Sequence, residues 1–268
     1  MLWYYFDDSG RKFGPFSDDQ ARKVLAGENP GHSVNRPNRK VISINGCEYG
    51  MIWLEPGAFM RNGPVPDIDD VDFDKADYDA KYKVTISRGF WLLETPVTQA
   101  MWSNVMGTRP SHFQGDDLPV EHVSWLDCKS FIEKLNQLAP TEWSFRLPTE
   151  AQWEYACGPD SFQMKADDYW HQENSGGTTH PVKSKLPNAQ GLYDMLGNVW
   201  EWCEDWYDEY PKGHLVDPQG PDSGSQRVAR GGSWNSIPNC YPTERSGDDP
   251  AGCSYALGFR IASSTPER

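Results

Sequence analysis

The sequence predicts an α+β fold whose second half is built mainly from loops. Three observations carry this reading. Three short helix patterns, each with its own cap, lie between residues 98 and 157. Aromatic or apolar runs that read as strands stand before them, at Leu2–Phe6, Met51–Leu54 and Lys83–Phe90. After the third helix come roughly ninety residues rich in Gly, Asn, Trp and Pro with no sustained period. The chain has 268 residues and twelve tryptophans. Such large rings supply the apolar area that regular elements would otherwise contribute.

Taken in order, Leu2–Phe6 and Lys12–Phe16 read as two strands joined at Asp8-Ser9-Gly10. Ser17 to Gln20 forms a capping box that opens a helix over Asp18–Ala26, stopped by Gly27. Residues 1–30 therefore form a small unit, 31–48 a polar linker running into a strand, and 49–268 the main domain. Met51–Leu54 is a buried strand, Glu55 to Phe59 a turn, and 62–80, with seven Asp, an exposed loop. Thr98 caps a helix that ends at Gly107 and buries Met101 and Trp102. Ser124 caps a second, with Trp125, Cys128, Phe131, Ile132 and Leu135 on one face. Thr149-Glu-Ala-Gln152 is a capping box for a third, preceded by strand-like Phe145–Pro148. In Gly191–Trp206 the alternation of Trp200 and Trp202 with their neighbours predicts a short strand between tight turns.

The formal net charge is -14, and a nucleic-acid binder needs a basic footprint that this chain lacks. The six cysteines show no CxxC pair, which argues against zinc. The start MLWYYFDDSG has neither a basic n-region nor an apolar h-region, and no run is long enough to span a membrane. The expectation is a cytoplasmic chain, as synthesised, with reduced thiols. Asn198 and Glu201, three apart with backbone carbonyls between them, offer hard oxygen donors of the kind Ca²⁺ takes. They equally suit hydrogen bonds within the loop.

Trp3-Tyr4-Tyr5 followed by Gly14-Pro15-Phe16 resembles the GYF-like adaptor modules. That resemblance implies a proline-rich peptide as partner of residues 1–30 and an interaction-scaffold role for the chain. The alternative is an appendage whose aromatics only pack.

Six segments in order resemble the formylglycine-generating enzymes and their paralogues. They are Glu94–Thr98, Pro119–Trp125, Arg146–Ala156, Gly191–Trp206, Arg230–Trp234 and Leu257–Arg260. The resemblance implies a C-type-lectin-like fold with structural Ca²⁺, for which Asn198, Val199 and Glu201 match the calcium motif. It also implies copper-dependent oxidation of cysteine by a Cys pair just after the GGSW segment. Here the first position of that pair is Ser236, and Cys240 lies within one residue of the second. A hydroxyl is a hard, neutral donor and does not replace a thiolate for Cu(I), so copper is not expected. A metal oxygenase, the second catalytic reading, needs two His and a carboxylate. The six His are scattered without such spacing.

Between Trp234 and Gly258 the frame of Arg230–Trp234 and Leu257–Ala262 resembles the variable proteins of diversity-generating retroelements. That resemblance implies a C-terminal ligand-binding surface. Its slots are Asn235, Ser236, Ile237, Asn239, Tyr241, Ser246, Gly247, Asp248, Ser254, Tyr255 and Ala256. Each of these can be reached from an Asn codon by changing adenines. Glu244 cannot, so its template codon differs or its slot is fixed. The segment's Tyr, Ser, Gly, Asn and Asp are the chemistry of an adaptable paratope, with Tyr241 and Tyr255 as anchors. The expected function is non-enzymatic binding of a macromolecular partner, a protein, at this surface.

Overall fold

The computed structural model describes residues 39–61, 83–158, 164–238 and 243–264, and the backbone of two strands before them. The chain divides into two compact units, Met1–Arg39 and Lys40–Arg268. In the first, β1 (Trp3–Phe6) and β2 (Lys12–Phe16) pair antiparallel, with Phe6 opposite Lys12. The expected helix Asp18–Ala26 and the loop 62–80 lie outside the described residues.

Among the described residues the second unit carries three sheets. The first has strand order β3 (Arg39–Ile44), β4 (Cys47–Leu54), β7 (Phe90–Leu93), β14 (Ala262–Ser263), β8 (Phe145–Arg146). The register of β4 on β7 sets Met51 opposite Leu93 and Leu54 opposite Phe90. The second has order β12 (Arg245–Asp248), β11 (Arg227–Arg230), β9 (Trp200–Trp206), β13 (Leu257–Phe259). The third joins β10 (Leu215–Val216), β6 (Lys83–Ile86) and β5 (Gly57–Met60). Arg39 to Glu48, within the stretch expected as a linker, already belongs to β3, β4 and the turn between them.

The helices form where their caps place them. Thr98 Oγ1 accepts from the Met101 N–H, and Gly107, at φ 73°, ends α1 (Gln99–Met106). Ser124 and Asp127 complete a capping box for α2 (Trp125–Leu138), and Thr149 and Gln152 do the same for α3 (Glu150–Cys157). The expected apolar face of α2 is buried in full. Trp102 on α1 stacks on Phe131 of α2 at 5.3 Å, and Phe259 of β13 meets both rings edge-on.

Two expectations change. Lys83–Phe90 is not one strand: it breaks at Ser87, whose N–H and hydroxyl both donate to Asp217. The turn at Glu55 is shorter than expected, because Gly57–Met60 pairs with β6. The loop-rich stretch after α3 also holds a complete four-stranded sheet. Its strands pair across long separations, which a local period does not reveal.

One buried ion pair ties these parts together. Arg260, just after β13, is fully buried, as is Glu201 in β9. Arg260 Nε and Nη2 donate to the two Glu201 oxygens at 2.8 and 2.7 Å. The Trp153 indole of α3 donates to Glu201 Oε2 at 2.7 Å. The remaining guanidinium hydrogens reach the carbonyls of Leu93 at 3.0 Å and Tyr193 at 2.9 Å. Removing one partner leaves the other charge buried and uncompensated. Glu201→Gln or Arg260→Met alone is therefore expected to cost on the order of 3–5 kcal/mol in urea unfolding. In a double-mutant cycle the combined variant should lose far less than the sum.

Candidate ligand-binding surface

The surface is built on a turn. Gly197, at φ +72°, lies so close to Trp170 that a Cβ would sit 2.1 Å from the Trp170 carbonyl oxygen, so only glycine fits. Asn198 follows at φ 60° and is fully buried. Its Oδ1 accepts the His180 N–H at 3.0 Å, and its Nδ2 donates to the His180 carbonyl at 3.0 Å and to Asp194 Oδ1 at 3.3 Å. Its carbonyl takes the Trp234 N–H at 2.9 Å. One side chain and its backbone thus hold three loops in place.

These partners bear on the calcium expectation. Asn198 is engaged by His180 and Asp194, and both Glu201 oxygens face Arg260. A guanidinium at that distance opposes a second cation at the same carboxylate. As arranged, the Asn198 and Glu201 side chains act as loop and core fasteners, a role that competes with holding Ca²⁺. Among the described residues no three His, Cys, Asp or Glu side chains converge as a metal-binding group.

From Trp234 the chain turns outward. Ser236 is half-buried, and its hydroxyl accepts the Ser233 N–H at 3.0 Å, closing the turn. Asn235 is exposed and Ile237 is 68% exposed. Tyr255 is 48% exposed, and its carbonyl accepts the Trp234 indole N–H at 3.0 Å. Ser254 beside it is exposed, and its carbonyl accepts the His122 N–H at 2.9 Å. Asn235, Ile237, Ser254 and Tyr255 therefore stand on one connected, outward-facing region. Asn239, Cys240 and Tyr241 lie outside the described residues.

The other expected slots divide away from it. Ala256 is buried, 6% exposed, because it leads directly into β13; it cannot face a partner. Ser246, Gly247 and Asp248 lie in β12, at the opposite edge of the sheet from β13. Three strand spacings separate those edges by about 14 Å. A Cβ on Gly247 would meet the Tyr207 ring at 2.7 Å, so that slot is a packing position. Glu244 is half-buried at the entrance to β12. Arg245 next to it is fixed inward, with Nε and Nη2 on Glu150 at 2.6 and 2.9 Å. There it joins a buried network in which Arg61 donates to Glu154 at 2.7 Å and the Tyr210 hydroxyl to Glu150 at 2.7 Å. Burial alone would raise the Glu150 carboxyl, but Arg230 and Arg245 outweigh it and hold it below the usual range.

Sequence reasoning missed the residues that complete the surface. The loop after α1 brings His112 onto the Tyr255 ring, stacked at 4.4 Å, with His122 at 4.9 Å. Phe113 meets Trp234 edge-on at 5.4 Å. His122 sits at φ 62°, an uncommon conformation for a residue with a side chain. No local pattern signals these contacts; His122 alone fell within a segment already singled out.

Beneath them Glu121 is fully buried, with Oε1 accepting the Phe113 N–H at 2.8 Å and Oε2 without a hydrogen-bond partner. Burial raises its carboxyl from 4.5 to about 7, against the backbone N–H groups of Phe113 and His112. The folded state keeps a proton that the unfolded chain releases, so this stability is complete below pH 4.5 and lost as pH rises through about 7. Asp205, raised to about 7 by burial and then by Glu150, acts in the same direction. Glu121→Gln should therefore flatten the fall in urea midpoint between pH 4.5 and 8, recovering on the order of 2 kcal/mol at the upper end. An unchanged slope would show that Glu121 does not carry that proton.

The comparisons agree with this architecture. Residues 44–265 match the model of the sulfatase-modifying factor enzyme 1-like domain. The formylglycine-generating enzyme of Streptomyces coelicolor is 36% identical over 199 residues, 60% of each chain. That of Bos taurus is 34% identical, over 65% of this chain and 50% of its own. The chain thus spans 50% to 60% of the length of these curated relatives. Among solved structures, Treponema denticola variable protein 1 superposes with a TM-score of 0.72 at 31% identity, covering 84% of this chain and 98% of that one. PvdO from Pseudomonas aeruginosa, at 21% identity and a TM-score of 0.66, shares the fold. The chain belongs to the sulfatase-modifying factor enzyme 1-like family, with a C-type-lectin-like fold.

Proposed function

We propose that this chain is a non-enzymatic ligand-binding protein. Its binding surface is carried by the outward-facing Asn235, Ile237, Ser254 and Tyr255 of the C-terminal segment, and its partner is a protein. The observation that carries the reading is the contrast in burial along that segment. Ile237 and Tyr255 face outward, while the flanks Val228–Ser233 and Ala256–Ser263 are buried. Side chains displayed between immobile flanks are what a recognition surface needs. The similarity to a variable protein over 84% of the chain supports the same reading. It also supports diversification of the outward slots, which predicts an adenine-rich near-copy of the 3′ coding end beside a reverse-transcriptase gene. The N-terminal strands, with Trp3 to Phe6 and Gly14 to Phe16, would add a site for a proline-rich peptide.

The competing reading is a copper-dependent oxidase, favoured by identity of 34% to 36% with formylglycine-generating enzymes. Against it, Ser236 offers a hydroxyl already engaged by the Ser233 N–H where that chemistry needs a thiolate. The test uses a partner selected from a peptide display library against the parent chain. Tyr255→Ala and Ile237→Ala should each weaken it by about 2 kcal/mol, with the unfolding midpoint unchanged. Stoichiometric copper(I) binding with oxygen consumption on a peptide thiol would overturn the proposal in favour of the oxidase.

A further inference from the structure

Several partly exposed aromatic rings elsewhere in this molecule carry the chain's own cations. Arg245 lies 4.6 Å from the Tyr207 ring centre and Arg227 3.4 Å from that of Trp206. Lys185 lies 4.1 Å from Trp170 and Lys183 5.5 Å from Tyr193. Cations settle there because the face of an aromatic ring is the negative end of its quadrupole. Tyr255 differs from these rings. At 48% it is the most exposed Tyr, Trp or Phe ring among the described residues. Yet among those residues no Lys or Arg stands over Tyr255, Trp234 or Phe113. Their ring neighbours are each other and the imidazoles of His112 and His122.

The surrounding charge points the same way. Hydrogen bonds and ring contacts join four loops at this surface. Besides the contacts above, the Gln172 N–H donates to the Ser236 carbonyl at 2.9 Å, and the Ser175 hydroxyl to that of Trp234 at 2.8 Å. These loops carry exposed Asp117, Glu173 and Asp249. Their one guanidinium, Arg109, is paired with Asp116 at 2.7 Å. The chain as a whole has a formal net charge of -14, which steers basic partners toward it.

We propose that the Tyr255–Trp234 cluster receives a basic side chain from the protein partner, arginine in preference to lysine. A planar guanidinium can stack on a ring and still donate in its own plane to a carboxylate, which a compact ammonium does less well. The inference rests on the surface reading above and deepens it: the partner supplies the cation that this cluster lacks.

The test uses acetyl-Gly-Arg-Gly-Arg-Gly-amide as probe and its citrulline analogue as the uncharged isostere. Each is titrated into the full chain and followed by the ring-proton NMR signals of His112 and His122. The expected result is saturable binding of the arginine peptide, about fivefold tighter than the citrulline peptide. Tyr255→Ala should remove about that factor, and Tyr255→Phe, which keeps the ring, should restore it. Equal binding of the two peptides, no saturation, or arginine binding indifferent to Tyr255→Ala would each sink the inference. None of these outcomes bears on the broader surface reading, whose own test uses a selected partner regardless of its charge.

Discussion

The fold depends on a charge pair sealed inside it. Glu201 and Arg260 are fully buried, and between them they join β9, the end of β13, α3 through Trp153, the end of β7 and the loop at Tyr193. Desolvating two charges is costly, and such a pair adds little net stability over apolar packing. Its directional demands, however, are strict. A guanidinium with this set of acceptors permits few alternative arrangements of the elements around it. In a chain with short strands and long loops, that restriction takes the place of extended regular structure.

A second layer of polar fastening carries this order to the surface. Asn198 holds the backbone at His180 and Trp234, and Trp234 holds Tyr255 through its indole. The path from buried pair to exposed ring is short: Glu201, the turn at Asn198, Trp234, Tyr255. The outward side chains therefore sit on backbone whose polar groups are already paired. The β12 edge is organised differently. Arg245 is drawn into the buried network with Glu150, and Gly247 lies against Tyr207, so that strand serves packing.

Much of this molecule was legible in its sequence. The three helix caps, at Thr98, Ser124 and Thr149, are local chemistry: one side-chain oxygen and a backbone N–H three residues on. The apolar face of α2 follows from helical spacing alone. The order of the family segments, the serine at 236 and the overall charge are likewise properties of the chain as written.

Tertiary structure decided the rest. Asn198 and Glu201 read as cation ligands because their oxygens suit one, and only the fold shows that His180, Asp194 and Arg260 already occupy them. Ala256 and Gly247 pass any test of composition for a binding slot, but burial and a neighbouring ring remove them. His112 meets Tyr255 from more than a hundred residues away, and no periodicity encodes that contact. Caps and amphipathic faces are set by neighbours along the chain, whereas charge pairing and exposure are set by neighbours in space. Only folding makes the second kind known.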